Sequence, residues 1–274
     1  MKTLYVTSFS KTLFQASGHL MIESFVKNQI GDLLVAYENF DFPTVVANVP
    51  QVKHVDIMEY QFLKDWLKDN ENLIPTIFGG KMPSPSERGP PDGNKKLQKK
   101  VHDYWNKKAS LWFRKVAALH YAIHQFPEYD NVVWIDCDCI FKQKLPENLI
   151  NALLNQHDIF YHQGVYRNSK NFGFETGFIG FRKGKGTNVI NVVSDFYVKK
   201  KYVDLERWDD GFVFKVIIQG LEKKKKLKTI DLVDSNKPGK RLEAINKGLF
   251  CDFLIHNKGL HKNLPNLGDD KKKK

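Results

Sequence analysis

Near its middle the chain reads Val132-Val133-Trp134-Ile135-Asp136-Cys137-Asp138-Cys139-Ile140-Phe141, an apolar run interrupted by two carboxylates. If this segment is extended, the two-residue period of a strand places Asp136 and Asp138 on one face and the two cysteines on the other. Carboxylates at the carboxyl end of a buried strand suit Mg²⁺ or Mn²⁺ together with substrate phosphate oxygens. The alternative is a pair of solvated loop aspartates that cap the next segment. The apolar run favours the metal site, because ligands collect at this end of the strands in open α/β sheets.

The length and composition of the chain are typical of a globular protein that is large enough to bury a hydrophobic core. It has 274 residues, of which 42% are hydrophobic and 13% aromatic. No apolar run approaches the ~20 residues that span a membrane, and the first residues are typical of a strand, not of a secretory signal. The cysteines Cys137, Cys139 and Cys251 lack the second cluster that would complete a zinc site, so we expect reduced thiols. These features predict a cytoplasmic protein.

A formal net charge of +12 points to an anionic partner or to a solubility role. Much of the excess is clustered in lysines at 95–100, 199–201, 223–226 and 271–274. Such lysines are usually solvated, but they are also able to attract a nucleotide donor, an acidic acceptor or an anionic membrane surface in a peripheral contact. We expect no nucleic-acid partner, because no helix carries a basic stripe interleaved with aromatic residues.

The order of predicted elements indicates an α/β domain with a parallel sheet. A strand at Leu4–Val6, a helix at Ser17–Asn28 and a strand at Asp32–Tyr37 form a β-α-β start. The amphipathic pattern of Lys108–Phe126 predicts a helix that leads directly into the Asp136/Asp138 strand. Further helices are predicted at Pro146–Gln156, Val189–Val198 and Asp209–Gln219, and further strands at Asp158–Tyr161, Phe174–Phe181 and Thr229–Val233. Residues 79–100 are rich in Gly and Pro and predict a mobile loop, which either closes over a donor site or is an insertion without a role.

Four segments, in this order, resemble the motifs of GT-A fold glycosyltransferases, in particular the family of glycogenin and the bacterial lipopolysaccharide galactosyltransferases. Asp136-Cys137-Asp138 resembles the metal-binding DxD of that family, and Phe174-Glu175-Thr176-Gly177 is similar to its Phe-Asn-x-Gly strand. Asp209-Asp210-Gly211-Phe212-Val213-Phe214 resembles its Asp-Gln-Gly-Leu-Leu-Asn helix start, and His256 to Lys262 match its His-x-x-Gly-x-x-Lys. The chain departs from the pattern where Glu175 replaces an Asn and Asp210 replaces a Gln.

The resemblance implies a fold, an activity and a domain organisation. The fold would be Rossmann-like, with a mostly parallel central sheet flanked by helices and a smaller acceptor-side half. The activity would be metal-dependent transfer of a sugar from a nucleotide-diphosphate sugar, in particular a UDP-sugar, to a hydroxyl of a glycan, protein or lipid-linked acceptor. One domain would cover residues 1–265, with a nucleotide-sugar-binding half at about 1–140 and an acceptor-binding half at about 141–265. A basic tail at 266–274 would follow.

The resemblance also assigns residues to the metal and the donor. It implies Mn²⁺ or Mg²⁺ on Asp136, Asp138 and His256, although His256 could instead be a surface histidine at a strand end. Gly259 and Lys262 would meet the diphosphate, where a Gly allows close backbone approach and a Lys acts as a point charge. Further donor-binding candidates are Thr7, Ser8, Phe9, Arg114, Cys137 and Gly177. Phe9 could equally belong to the core, and Arg114 to a surface ion pair.

The predicted catalytic residues are Asp210, Asp209 and Glu175. Asp210 would contact the donor sugar or the acceptor, and Glu175 would orient the sugar hydroxyls. The relatives retain the anomeric configuration, so we expect retention here. A carboxylate at 210 can nevertheless accept a proton that an amide cannot, as an inverting enzyme requires. Both aspartates also fit simple caps of a helix N-terminus.

Other classes of protein share parts of this pattern. A haloacid-dehalogenase-like phosphatase also has an apolar strand that ends in DxD, but that motif usually lies near the N-terminus, and Ile140 stands where a Thr or Val is expected. A nucleotidyltransferase would need a Gly-rich phosphate loop after the first strand, where this chain has Thr7-Ser8-Phe9-Ser10. A non-catalytic basic binding protein would leave both carboxylate clusters unexplained.

Overall fold

A computed structural model of the chain describes residues 1–28, 30–71, 108–146, 148–163, 173–233 and 244–257. The predicted loop at 79–100, the basic tail, Gly259 and Lys262 lie outside these residues. None of the helices in the described segments is long and apolar enough to cross a membrane.

A mostly parallel sheet forms the centre of the fold. Its strands are β1 (Thr3–Ser10), β2 (Asp32–Glu38), β3 (Val52–Asp56), β4 (Asn131–Ile135), β6 (Ile159–His162), β7 (Glu175–Arg182) and β8 (Thr229–Asp231). They lie in the order β3-β2-β1-β4-β7-β6-β8. Strand β7 is antiparallel to both of its neighbours, and the other pairs in this sheet are parallel. Two short strands, β5 (Cys139–Phe141) and β9 (Leu254–His256), form a separate antiparallel pair.

The helices lie between the strands along the chain. They are α1 (Lys11–Leu13), α2 (His19–Lys27), α3 (Thr44–Ala47), α4 (Gln61–Asp69), α5 (Ala109–Gln125), α6 (Leu149–Gln156), α7 (Lys185–Val198) and α8 (Asp210–Lys223). A π-helical turn at Phe14–Gly18 joins α1 to α2, so the first helical segment begins directly after β1 and not at Ser17 as predicted. Three-residue or four-residue 3-10 helices occur at Ile57–Glu59, Lys201–Asp204 and Ile245–Lys247.

Both faces of the sheet are buried, as the apolar strands require. Alternate residues of each central strand supply the two cores: Val132 and Trp134 of β4 pack on one side, and Val133 and Ile135 on the other. The first core is closed by α4, α5, α7 and α8, and the second by α2, α6 and the β5/β9 pair. The predicted α/β class, with a mostly parallel sheet flanked by helices, is confirmed by this arrangement.

The reversed direction of β7 determines where the polar residues meet. Strands β1 to β4 all end at one edge of the sheet, and β7, being antiparallel to β4, begins at that edge. The pairing of Ile135 with Phe178 places the first residues of β7 beside the end of β4. Asp136 N donates a hydrogen bond to Gly177 O at 2.8 Å, which continues the contact past the end of the ladder.

Candidate active site

The chain turns immediately after β4. Cys139 N donates to Asp136 O at 3.0 Å, and only then does β5 begin. The expected extended run through Asp138, with both aspartates on one face and both cysteines on the other, is therefore not formed. Strand β5 pairs with β9 so that Cys139 lies opposite His256. The turn consequently brings Asp138 and Cys139 toward the same histidine.

Two groups of possible metal ligands share His256. Ligand atoms of Asp138, Cys139 and His256 lie within 4.8 Å of one another, and so do those of Asp136, Glu175 and His256. Asp138 Oδ1 is 3.1 Å from His256 Nε2. The predicted metal ligands Asp136, Asp138 and His256 are thus brought to one place, although the two aspartates belong to different groups. Carboxylate and imidazole donors of this kind fit a divalent cation.

The imidazole of His256 is buried, and the backbone of the residue is held by hydrogen bonds to the side chain of Asn246. The residue is 3% exposed, which rules out the surface-histidine alternative. Its N–H donates to Asn246 Oδ1 at 2.7 Å, and its carbonyl accepts from Asn246 Nδ2 at 3.0 Å. Nδ1 has no hydrogen-bond partner within the described part of the chain. Burial acts to lower the pKa of His256, but the carboxylates of Asp138, Glu175 and Asp136 raise it by more than burial lowers it. The pKa of His256 is therefore above its ordinary value.

Lys115 is a buried cation of this site among the described residues, and it was not anticipated from the sequence, which favoured its neighbour Arg114. Arg114 forms an ion pair with Glu38 at the end of β2, as in the alternative given for it, although this pair is partly buried and not on the surface. A contact of Arg114 with a donor stays a prediction. Lys115 Nζ lies 3.1 Å from Asp136 Oδ1 and 3.0 Å from Asp210 Oδ2. It also donates to Thr176 O at 2.7 Å.

Burial tends to lower the pKa of Lys115, but the carboxylates of Asp136 and Asp210 outweigh it and the pKa is raised. The ammonium is therefore charged at neutral pH. A signal for this role exists in the sequence. Lys115 follows Trp112 by three residues and precedes Leu119 by four, so the helical period places it on the core-facing stripe of α5.

The carboxylate of Asp210 is fixed from two sides. Thr176 Oγ1 donates to Asp210 Oδ2 at 2.6 Å, and the same oxygen accepts from Lys115. Asp210 is 3% exposed and Glu175 is 1% exposed. Glu175 Oε1 accepts from Gly177 N at 3.3 Å, and its carboxylate belongs to one of the two ligand groups around His256. Glu175 thus lies beside His256, and its role toward the donor sugar stays a prediction.

Asp209 has a structural function as the N-cap of α8. Its Oδ1 accepts from Phe212 N at 3.2 Å, and its Oδ2 accepts from Arg207 Nε at 2.7 Å. These contacts agree with the alternative given for Asp209, in which its side chain caps the N-terminus of a helix. Its catalytic role stays a prediction.

The residues predicted to hold the nucleoside lie at the end of β1 and beside it. Phe9 has no exposed surface and packs with Phe14, which favours the core alternative. Thr7 is equally buried, and Ser8 is partly exposed. Cys137 is buried near the Ser17 hydroxyl, and burial, together with Asp138, raises the pKa of its thiol to about 12. A donor contact by these residues stays a prediction.

Gly177 is required by the position of His256. A Cβ atom at residue 177 would lie 2.9 Å from His256 Cε1 and 3.0 Å from Ile245 Cδ1. The backbone of His256 is fixed, so its ring would have to turn away from Asp138. Gly177→Ala is therefore expected to weaken binding of Mn²⁺ by about 10–100-fold, the usual cost of disturbing the support of a ligand. Isothermal titration with Mn²⁺ measures this effect.

Gly220→Ala is the matched control for that variant. Gly220 lies in α8, and a Cβ there would meet nothing within 4 Å. This substitution should leave the Mn²⁺ affinity unchanged and stabilise the helix by about 0.5–1 kcal/mol. Equal Mn²⁺ affinity of Gly177→Ala and wild type would show that the ring does not ligate the ion.

A second buried histidine lies behind the site and was not anticipated from the sequence. His162 is fully buried opposite Glu175 across β6 and β7, and its Nδ1 is 3.0 Å from Phe178 O. Burial lowers the pKa of His162 to about 4, although the Phe178 carbonyl and the carboxylates of Asp231 and Glu175 act in the opposite direction.

The lowered pKa of His162 predicts a loss of stability in acid. An unfolded histidine titrates near 6.5, so protons bind the unfolded state preferentially below that pH. The contribution of the neutral His162 ring to the free energy of unfolding is complete above about pH 6.5 and is lost as the pH falls toward 4. Between pH 7 and pH 5 the free energy of unfolding should fall by about 2 kcal/mol.

Urea unfolding at both pH values should show this loss in the wild type and a smaller one in His162→Gln. His157→Gln is the control, because this partly exposed ring makes a similar contact with a carbonyl, Leu153 O, at 3.1 Å. An unchanged pH dependence in His162→Gln would contradict the assignment.

No protein-family model matches the chain, and no curated protein is similar to it in sequence. Among solved structures, the apo form of mouse xyloside xylosyltransferase 1 is 13% identical, with a TM-score of 0.48 over 85% of this chain and 86% of that one. A glycosyltransferase involved in the glycosylation of the major capsid of PBCV-1 is 10% identical, with a TM-score of 0.48 over 94% and 96%. The galactosyltransferase LgtC, in complex with donor and acceptor sugar analogs, is 12% identical, with a TM-score of 0.41 over 80% and 70%. At these scores the similarities alone assign no activity, substrate or metal to this chain.

Proposed function

We propose that this chain is a metal-dependent glycosyltransferase that moves a sugar from a nucleotide-diphosphate sugar, in particular a UDP-sugar, to a hydroxyl acceptor. The observation that carries the proposal is the meeting of residues from four separate segments at one edge of the sheet. Asp136 and Asp138 follow β4, Glu175 begins β7, Asp210 begins α8 and His256 ends β9. These segments are the ones that resemble the glycosyltransferase motifs, and their side chains form one polar cluster around Lys115 and His256.

The chemistry of sugar transfer explains why these residue types meet. The nucleotide diphosphate gains negative charge as the sugar leaves, and a bound divalent cation supplies the charge that stabilises it. Asp136, Asp138 and His256 would hold Mn²⁺ or Mg²⁺. The buried ammonium of Lys115 adds a fixed positive charge beside Asp136, where the leaving group would lie. Gly259 and Lys262 would complete the diphosphate site.

We assign the sugar side of the site to Asp210 and Glu175, with retention of configuration. The single oxygen Oδ2 of Asp210 accepts from both Thr176 and Lys115. These two donors already occupy the oxygen, so it is not free to take a proton from an acceptor hydroxyl, which disfavours a general base. A fixed anion instead suits stabilisation of an oxocarbenium-like centre. Glu175 would orient the sugar hydroxyls or ligate the metal.

A thermal-shift screen of nucleotide sugars, with and without Mn²⁺, tests the proposed function. A ligand of the native state raises stability by RT ln(1 + [L]/Kd), which is about 2.7 kcal/mol at one hundred times Kd. The cognate donor should raise the melting temperature most, and only with the metal. Sugar transfer is then measured with that donor. A chain that hydrolyses phosphate monoesters and shows no response to any nucleotide sugar would instead be a phosphatase.

The stereochemistry is tested separately, by anomeric NMR of the product. Retention is the expected result. An inverted product, together with an Asp210→Asn variant that binds donor normally but does not turn over, would make Asp210 the general base. The acceptor class, the cytoplasmic location and a peripheral contact of the lysine clusters with an anionic membrane remain predictions from the sequence.

A further inference from the structure

We infer that Asp138, Cys139 and His256 form a site for a thiophilic divalent cation such as Zn²⁺, which overlaps the position proposed for Mn²⁺. The ligand atoms of these three residues lie within 4.8 Å of one another, and all three residues are buried. Only the inhibitory consequence drawn below rests on the proposed function.

Two short strands place the thiol and the imidazole on the same side of a hairpin-like pair. Cys139 and His256 are directly opposite in the antiparallel ladder of β5 and β9. Side chains of such a pair point to the same face, with Cβ atoms about 5 Å apart. Asp138 precedes Cys139 in the turn, and its Oδ1 already lies 3.1 Å from His256 Nε2. The strand pairing and the turn thus place the three side chains near one point.

Both the thiol and the imidazole are buried. Cys139 is fully buried, and its thiol makes a long hydrogen bond of 3.5 Å to Gly177 O. Burial and the carboxylates of Asp138, Asp136 and Glu175 raise the pKa of this thiol, so the cation has to displace its proton in order to bind there. His256 is 3% exposed, and its Nδ1 has no hydrogen-bond partner among the described residues. A tetrahedral ion needs donors about 3.5 Å apart, so small side-chain rotations are sufficient to close the site.

The identity of the donors selects the ion. Thiolate sulfur and imidazole nitrogen with a carboxylate oxygen are a Zn²⁺ set, whereas Mg²⁺ and Mn²⁺ prefer oxygen donors. Three protein ligands leave the fourth tetrahedral position open to water or to a substrate atom. As the Zn–S bond forms, the S–H bond breaks and its proton passes to solvent. No electron is transferred, so the oxidation states of sulfur and metal do not change.

The two ions would share two ligands. The residues proposed above for Mn²⁺ are Asp136, Asp138 and His256, and both Asp138 and His256 also belong to the Zn²⁺ set. An ion held by Asp138, Cys139 and His256 would therefore occupy two of the ligands of the other ion. Zn²⁺ should therefore compete with Mn²⁺, and in a working transferase it should inhibit by replacing the catalytic ion.

Cobalt is the probe for this site, because Co²⁺ follows Zn²⁺ in its ligands and reports sulfur ligation by an intense near-ultraviolet charge-transfer band. Adding Co²⁺ to the full chain under reducing conditions should produce this band, and Zn²⁺ should abolish it. Cys139→Ser should lose the band and bind Zn²⁺ about a hundredfold more weakly. Cys251→Ser is the matched control and should keep the band, since Cys251 lies outside both groups.

A second measurement separates loss of the site from loss of the fold. Cys139→Ser should unfold in urea near the wild-type midpoint and still bind Mn²⁺ with unchanged affinity, because Cys139 is not among the residues proposed to hold that ion. Absence of the cobalt band in the wild type, or its survival in Cys139→Ser, would overturn the inference. A cobalt band in a protein that transfers no sugar would leave this site standing and refute the proposed function alone.

Discussion

Asp138→Asn is expected to reduce sugar transfer by about a thousandfold or more while the protein stays folded. The amide has nearly the volume of the carboxylate and retains an oxygen toward His256, so packing in the turn after β4 is preserved. It lacks the negative charge that would hold the divalent ion beside the diphosphate. Initial rates with the cognate donor, measured across a range of Mn²⁺ concentrations, determine the loss.

The control for this prediction is Asp195→Asn. Asp195 is an exposed carboxylate on α7 that pairs with Lys199 four residues later. The same chemical change there should leave the rate unaltered. Removal of metal provides the complementary experiment, since excess EDTA should abolish transfer and added Mn²⁺ should restore it. Full activity in EDTA would remove the metal from the mechanism.

Lys115→Met is expected to destabilise the metal-free protein by about 3–5 kcal/mol, the cost of leaving a buried charge without its partner. Lys115 is 7% exposed, and its ammonium contacts two carboxylates, those of Asp136 and Asp210, of which the second residue is itself 3% exposed. Methionine fills a similar volume but offers neither charge nor hydrogen bonds. Urea unfolding in EDTA measures the change, because an added divalent ion would mask part of it.

A double-mutant cycle identifies the cause of that loss. If the carboxylate of Asp210 that has lost its contact with Lys115 is responsible, Asp210→Asn in the Lys115→Met background should recover stability, and the two effects should be non-additive by more than 1 kcal/mol. Lys199→Met is the surface control, and breaking its exposed ion pair should cost less than about 1 kcal/mol. A Lys115→Met protein as stable as wild type would show that the ion pairs around Lys115 contribute nothing net.

The sheet and most helices were predictable because their signals are local. The apolar run of β4 and the three-to-four-residue spacing in α5 indicate buried elements without any knowledge of the fold. The segment at 43–70 was less predictable, since β3 alternates as Val-Lys-His-Val-Asp and is mostly half-buried. The first helix also begins earlier than its apolar pattern suggests, because Ser10 caps it directly after β1.

The site was predictable only in part, because its geometry depends on long-range contacts. The resemblance named Asp136, Asp138 and His256, and the structure brings all three together. It could not show that the chain turns at Asp136, since the turn is completed by pairing of β5 with a strand more than one hundred residues later. The choice of Lys115 over Arg114 likewise depends on how α5 lies on the sheet.

The cluster around Lys115 also has a consequence for how much protein is folded in a cell. Asp136 and Asp210 contact the ammonium of Lys115, and Asp138 and Glu175 lie beside His256, so that four carboxyl groups meet at a largely buried edge of the sheet. Like charges in such a place repel one another and favour the unfolded chain, in which water separates them. A divalent cation held at this edge would remove most of that repulsion and would bind only the folded form. The supply of metal would then set the abundance of the protein as well as its activity, since chains without the ion would unfold and be degraded more often.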